Sequence, residues 1–326
     1  MIFIYFISLV ISFVILYKCA VFFVDGASGI AKELNISKMV VGIVLVGMAT
    51  TAPEFFVSVI ASITGNPEIA LGNAVGSVIC DDGIALALAA LLAPGVIMIN
   101  CRVLKIVGTF LLSIDFLAYF LARNGTIGRL EGAVLVLILC FYYIVILKNK
   151  NIKLDKNSQD KSMSENKEYA SPPKEFHLKR FILLFIVGLA GVVLTSYIIV
   201  WAAKNIAVYF SVSKIVIAIT VIAIGTSLPE ISTCIVAALK GEGEIAVGNI
   251  IGADILNILW IIGVASIVNP ITVELKIMNF AFPFMILIVA TMLVAMRIGC
   301  RLGKTKGIIL LGLYLIYLIL TLILFT

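Results

Sequence analysis

Charged residues are scarce in this 326-residue sequence. Asp, Glu, Lys and Arg make up 13% of it, whereas 62% of the residues are hydrophobic and the mean hydropathy is +1.20. Soluble domains carry about 25% charged residues. The apolar residues also form blocks of about 20, the length that crosses the hydrocarbon core of a bilayer. We therefore expect a multi-pass membrane protein rather than a soluble domain.

Histidine and closely spaced cysteines are also missing. The single histidine, His177, lies in a charged segment, which excludes histidine-based metal catalysis and a Ser-His-Asp triad. The six cysteines are far apart in the sequence, so we expect neither a disulfide framework nor a zinc site. No HExxH or Ser-Lys constellation is evident, so an enzyme is not expected. We also predict no cofactor, and the net charge of +6 needs no nucleic acid to explain it.

Hydropathy divides the chain into ten predicted spans around one long polar segment. The spans are 3–23, 38–63, 69–93, 104–122, 130–147, 180–203, 214–239, 245–267, 276–296 and 306–325. The polar segment, 148–179, is rich in Lys, Asn, Ser and Glu and is predicted to be a mostly disordered linker. The predicted halves are therefore 1–147 and 180–326, with five helices each.

The distribution of basic residues predicts the orientation in the cell membrane. With both termini outside, the 148–179 segment and most Lys and Arg residues face the cytoplasm. Basic residues are enriched in cytoplasmic loops, so we expect this orientation.

An internal repeat relates the two halves. Residues 37–81 align without a gap with residues 213–257, at an offset of 176. Both copies contain Thr-x-x-Pro-Glu followed by Glu-Ile-Ala-x-Gly-Asn-x-x-Gly, within motif regions of about 37–82 and 213–258. Because each half has an odd number of spans, the second copy crosses the bilayer in the opposite direction. The sequence therefore predicts an all-α integral membrane fold of two inverted five-helix repeats.

Two glutamates mark the predicted site. Glu54 and Glu230 each follow a proline near the middle of an apolar span, where a carboxylate costs at least ~2.5–3.5 kcal/mol. The prolines predict helix breaks at Thr50–Pro53 and Thr226–Pro229, which free backbone carbonyls. Carboxylate, hydroxyl and carbonyl oxygens suit Ca²⁺ or Na⁺, so we predict a cation site there. The alternative is a pair of protonated or hydrogen-bonded structural glutamates.

Further polar residues follow in the next helix of each copy. Ser77 and Asp81 are four residues apart and share a helix face, and Asn257 occupies the position of Asp81 in the second copy. Asp254 is three residues before Asn257 and is a candidate for the ion path. Asp82 points about 100° away from Asp81 and is a weaker candidate.

Three other residues complete the polar set. Thr51 and Ser227, which follow Thr50 and Thr226, are also candidates for the ion path. Asp115 has no charged counterpart in the other half, and we expect it to have a structural role or to lie at the rim of a pore.

The two motifs resemble the Ca²⁺/cation antiporter superfamily, and within it the archaeal-type prokaryotic sodium/calcium exchangers. The matching stretches are GMATTAPEFFVSVIASITGNPEIALGNAVGS and AIGTSLPEISTCIVAALKGEGEIAVGNIIGA. The resemblance implies electrogenic antiport in which Ca²⁺ leaves against entering Na⁺. It further implies ions held between the repeats and two helices that slide over an eight-helix body.

The resemblance also implies roles for individual residues. Glu54 and Glu230 correspond to the bidentate Ca²⁺ ligands. The remaining implied ligands are the oxygens of Thr50 and Thr226, the Ser77 hydroxyl, the backbone of Gly47 and Ala223, and the central pair Asp81 and Asn257.

The sequence departs from the family pattern in three ways, one of which is the additional carboxylates Asp82 and Asp254. Archaeal exchangers have Asn in the first copy and Asp in the second, whereas Asp81 and Asn257 reverse this order. Ala253 replaces a usual serine and removes a ligand from one Na⁺ site. Coupling to H⁺ or K⁺ is therefore an alternative to Na⁺, and a cation channel is the alternative from another class.

The expected partners are inorganic cations and the lipid bilayer, with no obligate protein partner.

Overall fold

The computed structural model describes residues 2–148, 174–210 and 223–325, and most of them are helical. The helices of the first half are α1 Ile2–Glu33, α2 Lys38–Val41, α3 Gly47–Thr50, α4 Ala52–Ile63, α5 Pro67–Cys80, α6 Leu86–Leu92, α7 Cys101–Ala122 and α8 Arg129–Lys148. Those of the second half are α9 Lys174–Tyr209, α10 Ala223–Thr226, α11 Leu228–Leu239, α12 Gly243–Leu256, α13 Ile262–Val268, α14 Phe282–Arg297 and α15 Lys304–Phe325. Wider π-helical turns interrupt them at π1 Gly42–Val46, π2 Asp81–Ala85, π3 Asn257–Ile261 and π4 Ile277–Ala281, and a 3₁₀ turn follows α14 at Ile298–Cys300.

The long helices make this a multi-pass membrane protein. Among the described residues, eight helices are long and apolar enough to cross a membrane, and the bent pair Lys38–Thr50 and Ala52–Ile63 forms a ninth span. The predicted seventh span is represented by α10 and α11, and its first part, 214–222, lies outside the described residues. The ten predicted spans therefore correspond to eight or nine that the structure shows directly.

Two predicted boundaries are wrong. The first span was expected to end at residue 23, but α1 continues to Glu33 and contains 32 residues, or about 48 Å of helix. The polar linker was expected to reach residue 179, but α9 already begins at Lys174. The remaining linker residues, 149–173, lie outside the described residues.

Close packing between α1 and α9 explains the longer first helix. A Cβ atom on Gly26 would lie 2.5 Å from the backbone N of Phe185, so only glycine permits this approach. The rings of Phe23 and Phe185 lie 4.6 Å apart in the same contact. Small residues commonly bring membrane helices together in this way. Packing therefore extends α1 past the point where hydropathy falls.

Local structure repeats at the same offset of 176 as the sequence motifs. Helices α4, α5 and α6 and the turn π2 correspond residue for residue to α11, α12, α13 and π3. Thr51 and Ser227 form the bends, with φ/ψ of −75°/−4° and −83°/8°. Gly65 and Gly241 end the helices that follow, with φ of 87° and 74° that favour glycine. The two predicted helix breaks are thus confirmed in position.

Two short strand pairs lie at opposite ends of the helices. Strand β1 Ile97–Met98 pairs antiparallel with β4 Arg301–Leu302, and β2 Thr126–Ile127 pairs with β3 Ile271–Thr272. The end that carries β1 and β4 also carries the turn at Glu242, and we call it the Glu242 face. A cavity of about 890 Å³ opens there among α1, the loop before β1 and the turn between α11 and α12. It does not include Glu54 or Glu230 in its lining.

A disulfide joins the two halves at the Glu242 face and corrects the sequence prediction. Cys101, the first residue of α7, is bonded to Cys300, and their Cα atoms are 5.4 Å apart. The residues are 199 positions apart in sequence, so spacing alone did not suggest a pair. The β1–β4 pairing brings them together because it aligns the residues just before α7 with those just after α14.

We expect the Cys101→Ser variant to lose stability because it removes the covalent bond that closes the loop between residues 101 and 300. A disulfide of this kind stabilises a fold by roughly 2–4 kcal/mol. Thermal unfolding of purified protein should give a lower midpoint for Cys101→Ser, while Cys140→Ser, which removes an exposed free thiol, should match the wild type. Labelling of all six cysteines in unreduced, denatured wild-type protein would contradict the pairing.

Candidate functional site

The two predicted glutamates lie where the halves meet. Glu54 and Glu230 occupy the first turns of α4 and α11, directly after the two bends, and each is 1% exposed. Each lies close enough to the other for their charges to interact, and Asp81, also 1% exposed, interacts with both. We call Glu54, Glu230 and Asp81 the carboxylate cluster. The structure thus brings together residues that are far apart in sequence.

Hydroxyl groups from both bends face this cluster. The Thr51 hydroxyl donates a hydrogen bond to Glu230 Oε1 at 3.4 Å, and the Thr50 hydroxyl lies within reach of the same carboxylate. The Ser227 hydroxyl lies next to Asp81 without the geometry of a hydrogen bond. Thr51 and Ser227, expected only as candidates for the ion path, are therefore close to the carboxylates.

Most carboxylate oxygens of the cluster have no hydrogen-bond donor. Among the described residues, nothing donates to either oxygen of Glu54 or Asp81, or to Oε2 of Glu230. Burying such a group without a partner is costly, and a membrane interior supplies no water to compensate. The alternative of hydrogen-bonded structural glutamates would require partners that these oxygens lack. A cation bound by Glu54 and Glu230 would supply the partner that the oxygens of these two glutamates lack.

Wide helical turns hold the next polar residues. Asp81 begins π2 and Asn257 begins π3, and both side chains are buried. The Ser77 hydroxyl and both polar atoms of the Asn257 amide have no partner among the described residues. A π turn is rare and is frequently found at functional sites. No sequence signal predicted these turns, although Asp81 and Asn257, which begin them, were predicted site residues.

The predicted backbone ligands are less well supported. The Gly47 carbonyl already accepts the backbone N–H of Thr51 at 3.0 Å, which leaves it one lone pair. The other predicted backbone ligand, Ala223, is the first residue of α10 and directly follows residues that lie outside the described part of the chain. The carbonyls that the prolines release are instead those of Ala49 and Gly225, four residues before each proline.

Two asparagines were missed as site residues. The Thr50 hydroxyl donates to Asn249 Oδ1 at 3.0 Å, and the Thr226 hydroxyl donates to Asn73 Oδ1 at 3.5 Å. Each bond joins a threonine of one half to an asparagine of the other. The repeat aligned Asn73 with Asn249, and that identity of two polar residues inside apolar helices was the available signal.

A second group of acids lies beside the cluster. Asp82 and Asp254 come within hydrogen-bonding distance of each other, and Asp115 lies close enough to interact with both. All three side chains are 0% exposed. Asp82 lies next to Asp254, a contact that its angle from Asp81 did not predict. Asp115 was expected to have a structural role or to lie at the rim of a pore, and its full burial leaves the structural role as the expectation.

The cluster differs from a preformed metal site built of acids alone. In the part of the chain that the structure describes, no three His, Cys, Asp or Glu side chains are placed so that they could hold one metal ion. A cation bound by Glu54 and Glu230 would therefore need hydroxyl, amide and carbonyl oxygens as well. Such mixed oxygen sets are typical of Ca²⁺ sites.

A match to a known family covers both halves. The model of the family described as "Sodium/calcium exchanger protein" matches residues 4–148 and 180–323. The chain belongs to this family. The matched residues include both bends, the carboxylate cluster and the two asparagines, and omit most of the polar segment between the halves.

Similar proteins agree with this assignment. The uncharacterized membrane protein MJ0091 of Methanocaldococcus jannaschii is 31% identical over 303 residues, covering 93% of each chain. The sodium/calcium exchanger MaX1 of Methanosarcina acetivorans is 29% identical, covering 96% of this chain and 97% of that one. A solved structure of the sodium-calcium exchanger NCX_Mj has a TM-score of 0.81 at 27% identity, covering 97% of this chain and 98% of that chain.

We expect the Asp254→Asn variant to be more stable than the wild type. The introduced amide can donate a hydrogen bond to the Asp82 carboxylate, and a hydrogen bond to a charged group contributes roughly 1.5–3 kcal/mol. Thermal unfolding in detergent should show a higher midpoint. Asp115→Asn serves as the control for removing a nearby charge, and an equal rise in both variants would show that charge, not the new hydrogen bond, is responsible.

Proposed function

We propose that this protein is a cell-membrane antiporter that extrudes Ca²⁺ in exchange for Na⁺. The observation that carries the proposal is the carboxylate cluster, whose buried and unpartnered oxygens lie between the two bends. Membership of the sodium/calcium exchanger family supports cation antiport. The likeness to NCX_Mj and MaX1, both described as sodium/calcium exchangers, supports these two ions in particular.

In this proposal Glu54 and Glu230 bind Ca²⁺ together with the oxygens of Thr50 and Thr226. Na⁺ sites flank this position and use the Ser77 hydroxyl and backbone carbonyls of the two bends, which we assigned to Gly47 and Ala223. Asp81 and Asn257 form the central polar pair. Both Ca²⁺ and several Na⁺ ions can neutralise the cluster, whereas the empty site keeps charges that oppose the conformational switch. Exchange follows because only the occupied states interconvert readily.

Alternating access requires one part of the protein to move relative to the rest. We assign this movement to the pair α1 and α9, which pack on each other along their length. At the Glu242 face, the Ser28 hydroxyl of α1 donates to Glu242 at 2.8 Å, and Lys38 Nζ lies 2.6 Å from the same carboxylate. Asp25 of α1 is paired with Lys240. The contacts of Ser28 and Asp25 hold α1, and that of Lys38 holds α2, against the turn between α11 and α12 in this conformation.

The proposed topology follows the repeat and the charge distribution. The second half crosses the membrane in the direction opposite to the first, and both termini face outward. The 148–179 segment then faces the cytoplasm, as does the Glu242 face.

H⁺ in place of Na⁺ is the second candidate for the coupling ion. Ala253 is buried next to Asp254 and provides no hydroxyl where the first half has Ser77. One Na⁺ site is therefore short of a ligand. A channel is less consistent with the geometry, because one chain alone supplies both halves of the carboxylate cluster, whereas channel filters commonly combine several subunits.

We expect the Glu54→Gln variant to lose transport because the amide removes one of the two Ca²⁺-binding charges. Uptake of ⁴⁵Ca²⁺ into proteoliposomes under an outward Na⁺ gradient should fall roughly 100-fold or more. Glu68→Gln, which changes a glutamate of the first turn of α5 outside the cluster, should retain transport. Uptake driven by a pH or K⁺ gradient but not by Na⁺ would refute Na⁺ coupling, and normal transport by Glu54→Gln would refute the site.

We expect exchange of the central pair to be tolerated. Asp81→Asn combined with Asn257→Asp keeps the total charge and places the two side chains at equivalent positions of the two halves. The double variant should retain transport in the same assay, while each single change should reduce it. Loss in the double variant comparable to that in the single variants would show that the two halves are not interchangeable at this position.

A further inference from the structure

Two threonine–asparagine hydrogen bonds connect the halves beside the carboxylate cluster. The Thr50 hydroxyl donates to Asn249 Oδ1 at 3.0 Å, and the Thr226 hydroxyl donates to Asn73 Oδ1 at 3.5 Å. Thr50 and Thr226 correspond in the repeat, as do Asn73 and Asn249. The same threonine–asparagine hydrogen bond therefore occurs twice, once from the first half to the second and once from the second half to the first.

A hydroxyl group that binds a cation must direct its hydrogen elsewhere. It has one hydrogen to donate and two lone pairs, and the cation requires a lone pair. Thr50 Oγ1 has four acceptors in reach: Asn249 Oδ1 at 3.0 Å, the carbonyls of Val46 and Gly47 at 3.2 and 3.3 Å, and the Glu230 carboxylate. Donation to Glu230 would point the hydrogen into the space that a cation bound there must occupy. Asn249 offers the shortest contact among the other acceptors.

We propose that Asn249 and Asn73 are positioning residues that accept the hydroxyl hydrogens of Thr50 and Thr226 and so turn the lone pairs of both threonines toward the transported cation. This inference rests on the proposed function, because it assumes that a cation binds between Glu54 and Glu230. It assigns the asparagines no direct contact with the ion. Groups that orient metal ligands typically contribute 10- to 100-fold to metal affinity, which is roughly the effect we expect.

The surroundings of Asn73 support a fixed orientation of its amide, whereas Asn249 has fewer polar neighbours. Asn73 Nδ2 donates to the Ser58 hydroxyl at 3.0 Å and to the backbone carbonyl of Glu54 at 3.5 Å, so its Oδ1 is left to face Thr226. Asn249 is 0% exposed, and the position that corresponds to Ser58 is Cys234. Asn249 Nδ2 has no partner among the described residues. The hydrogen bond from Thr50 is thus the one that the structure records for this buried amide.

The test compares two substitutions of Asn249 in full-length protein. Asn249→Leu has a similar volume and no acceptor, whereas Asn249→Asp keeps an oxygen that can accept from Thr50. In proteoliposomes we expect Asn249→Leu to raise the KM for Ca²⁺ roughly 10- to 100-fold. The maximal rate should change by less than about threefold. Asn249→Asp should keep the KM within about threefold of the wild type or lower it. Equal losses in both variants would indicate that the amide only packs the helices and would overturn the proposal.

A double-mutant cycle tests whether Asn249 acts through Thr50. The Thr50→Val variant removes the hydroxyl and should itself raise the KM for Ca²⁺. If Asn249 only orients that hydroxyl, adding Asn249→Leu to Thr50→Val should cost little more than about twofold. Additive effects of the two changes would contradict the proposal.

Calorimetric titration of purified protein with Ca²⁺ separates this inference from the proposed function. Failure of wild-type protein to transport Ca²⁺ under any gradient would refute the antiport proposal. The same variants would then still report on the asparagines, with affinity falling roughly 10- to 100-fold in Asn249→Leu and retained in Asn249→Asp. An unchanged affinity in Asn249→Leu would refute the positioning role whether or not transport is observed.

Discussion

A carboxylate that is buried in the interior of a membrane protein must find a neutralising partner, and this constraint shapes the centre of the molecule. Glu54, Glu230 and Asp81 are almost fully buried, and most of their oxygens accept no hydrogen bond from the described residues. Such a group is tolerated when it faces the protein interior and has a function. The helix bends place hydroxyl groups and free backbone carbonyls close to these carboxylates. The polar groups of the bends and the acids therefore form one polar centre. Much of the remaining core is apolar and requires no such balance.

The position of this centre was predictable from the sequence because its cause is local. Proline removes a backbone donor at a known residue, and glutamate directly after it fixes where the charge lies. The bends at Thr51 and Ser227 appear where that reasoning put them. The membrane spans were predictable for a similar reason, since hydropathy is a property of consecutive residues. Contacts between distant residues were not predictable in this way. The extension of α1 to Glu33, the bond between Cys101 and Cys300 and the meeting of Asp82 with Asp254 all depend on tertiary packing.

The duplication preserved the backbone more faithfully than the side chains. The structure repeats the two bends, the turns π2 and π3 and the left-handed glycines Gly65 and Gly241 at the same offset, whereas several buried polar positions differ. Asp81 is matched by Asn257, Ser77 by Ala253 and Ser58 by Cys234. The repeated backbone therefore carries different buried polar side chains in its two halves.

The bond between Cys101 and Cys300 has a consequence for the integrity of the molecule. It connects α7 of the first half to the segment after α14 in the second, so the polypeptide forms a closed ring that spans both halves. A single peptide-bond cleavage between the halves would not release either one, because the sulfur link and the intramembrane contacts would still connect the fragments. The nicked protein would migrate as one species in denaturing electrophoresis until a reductant separated it into two. Helix α1 lies outside the ring and remains covalently attached only through the chain that follows it.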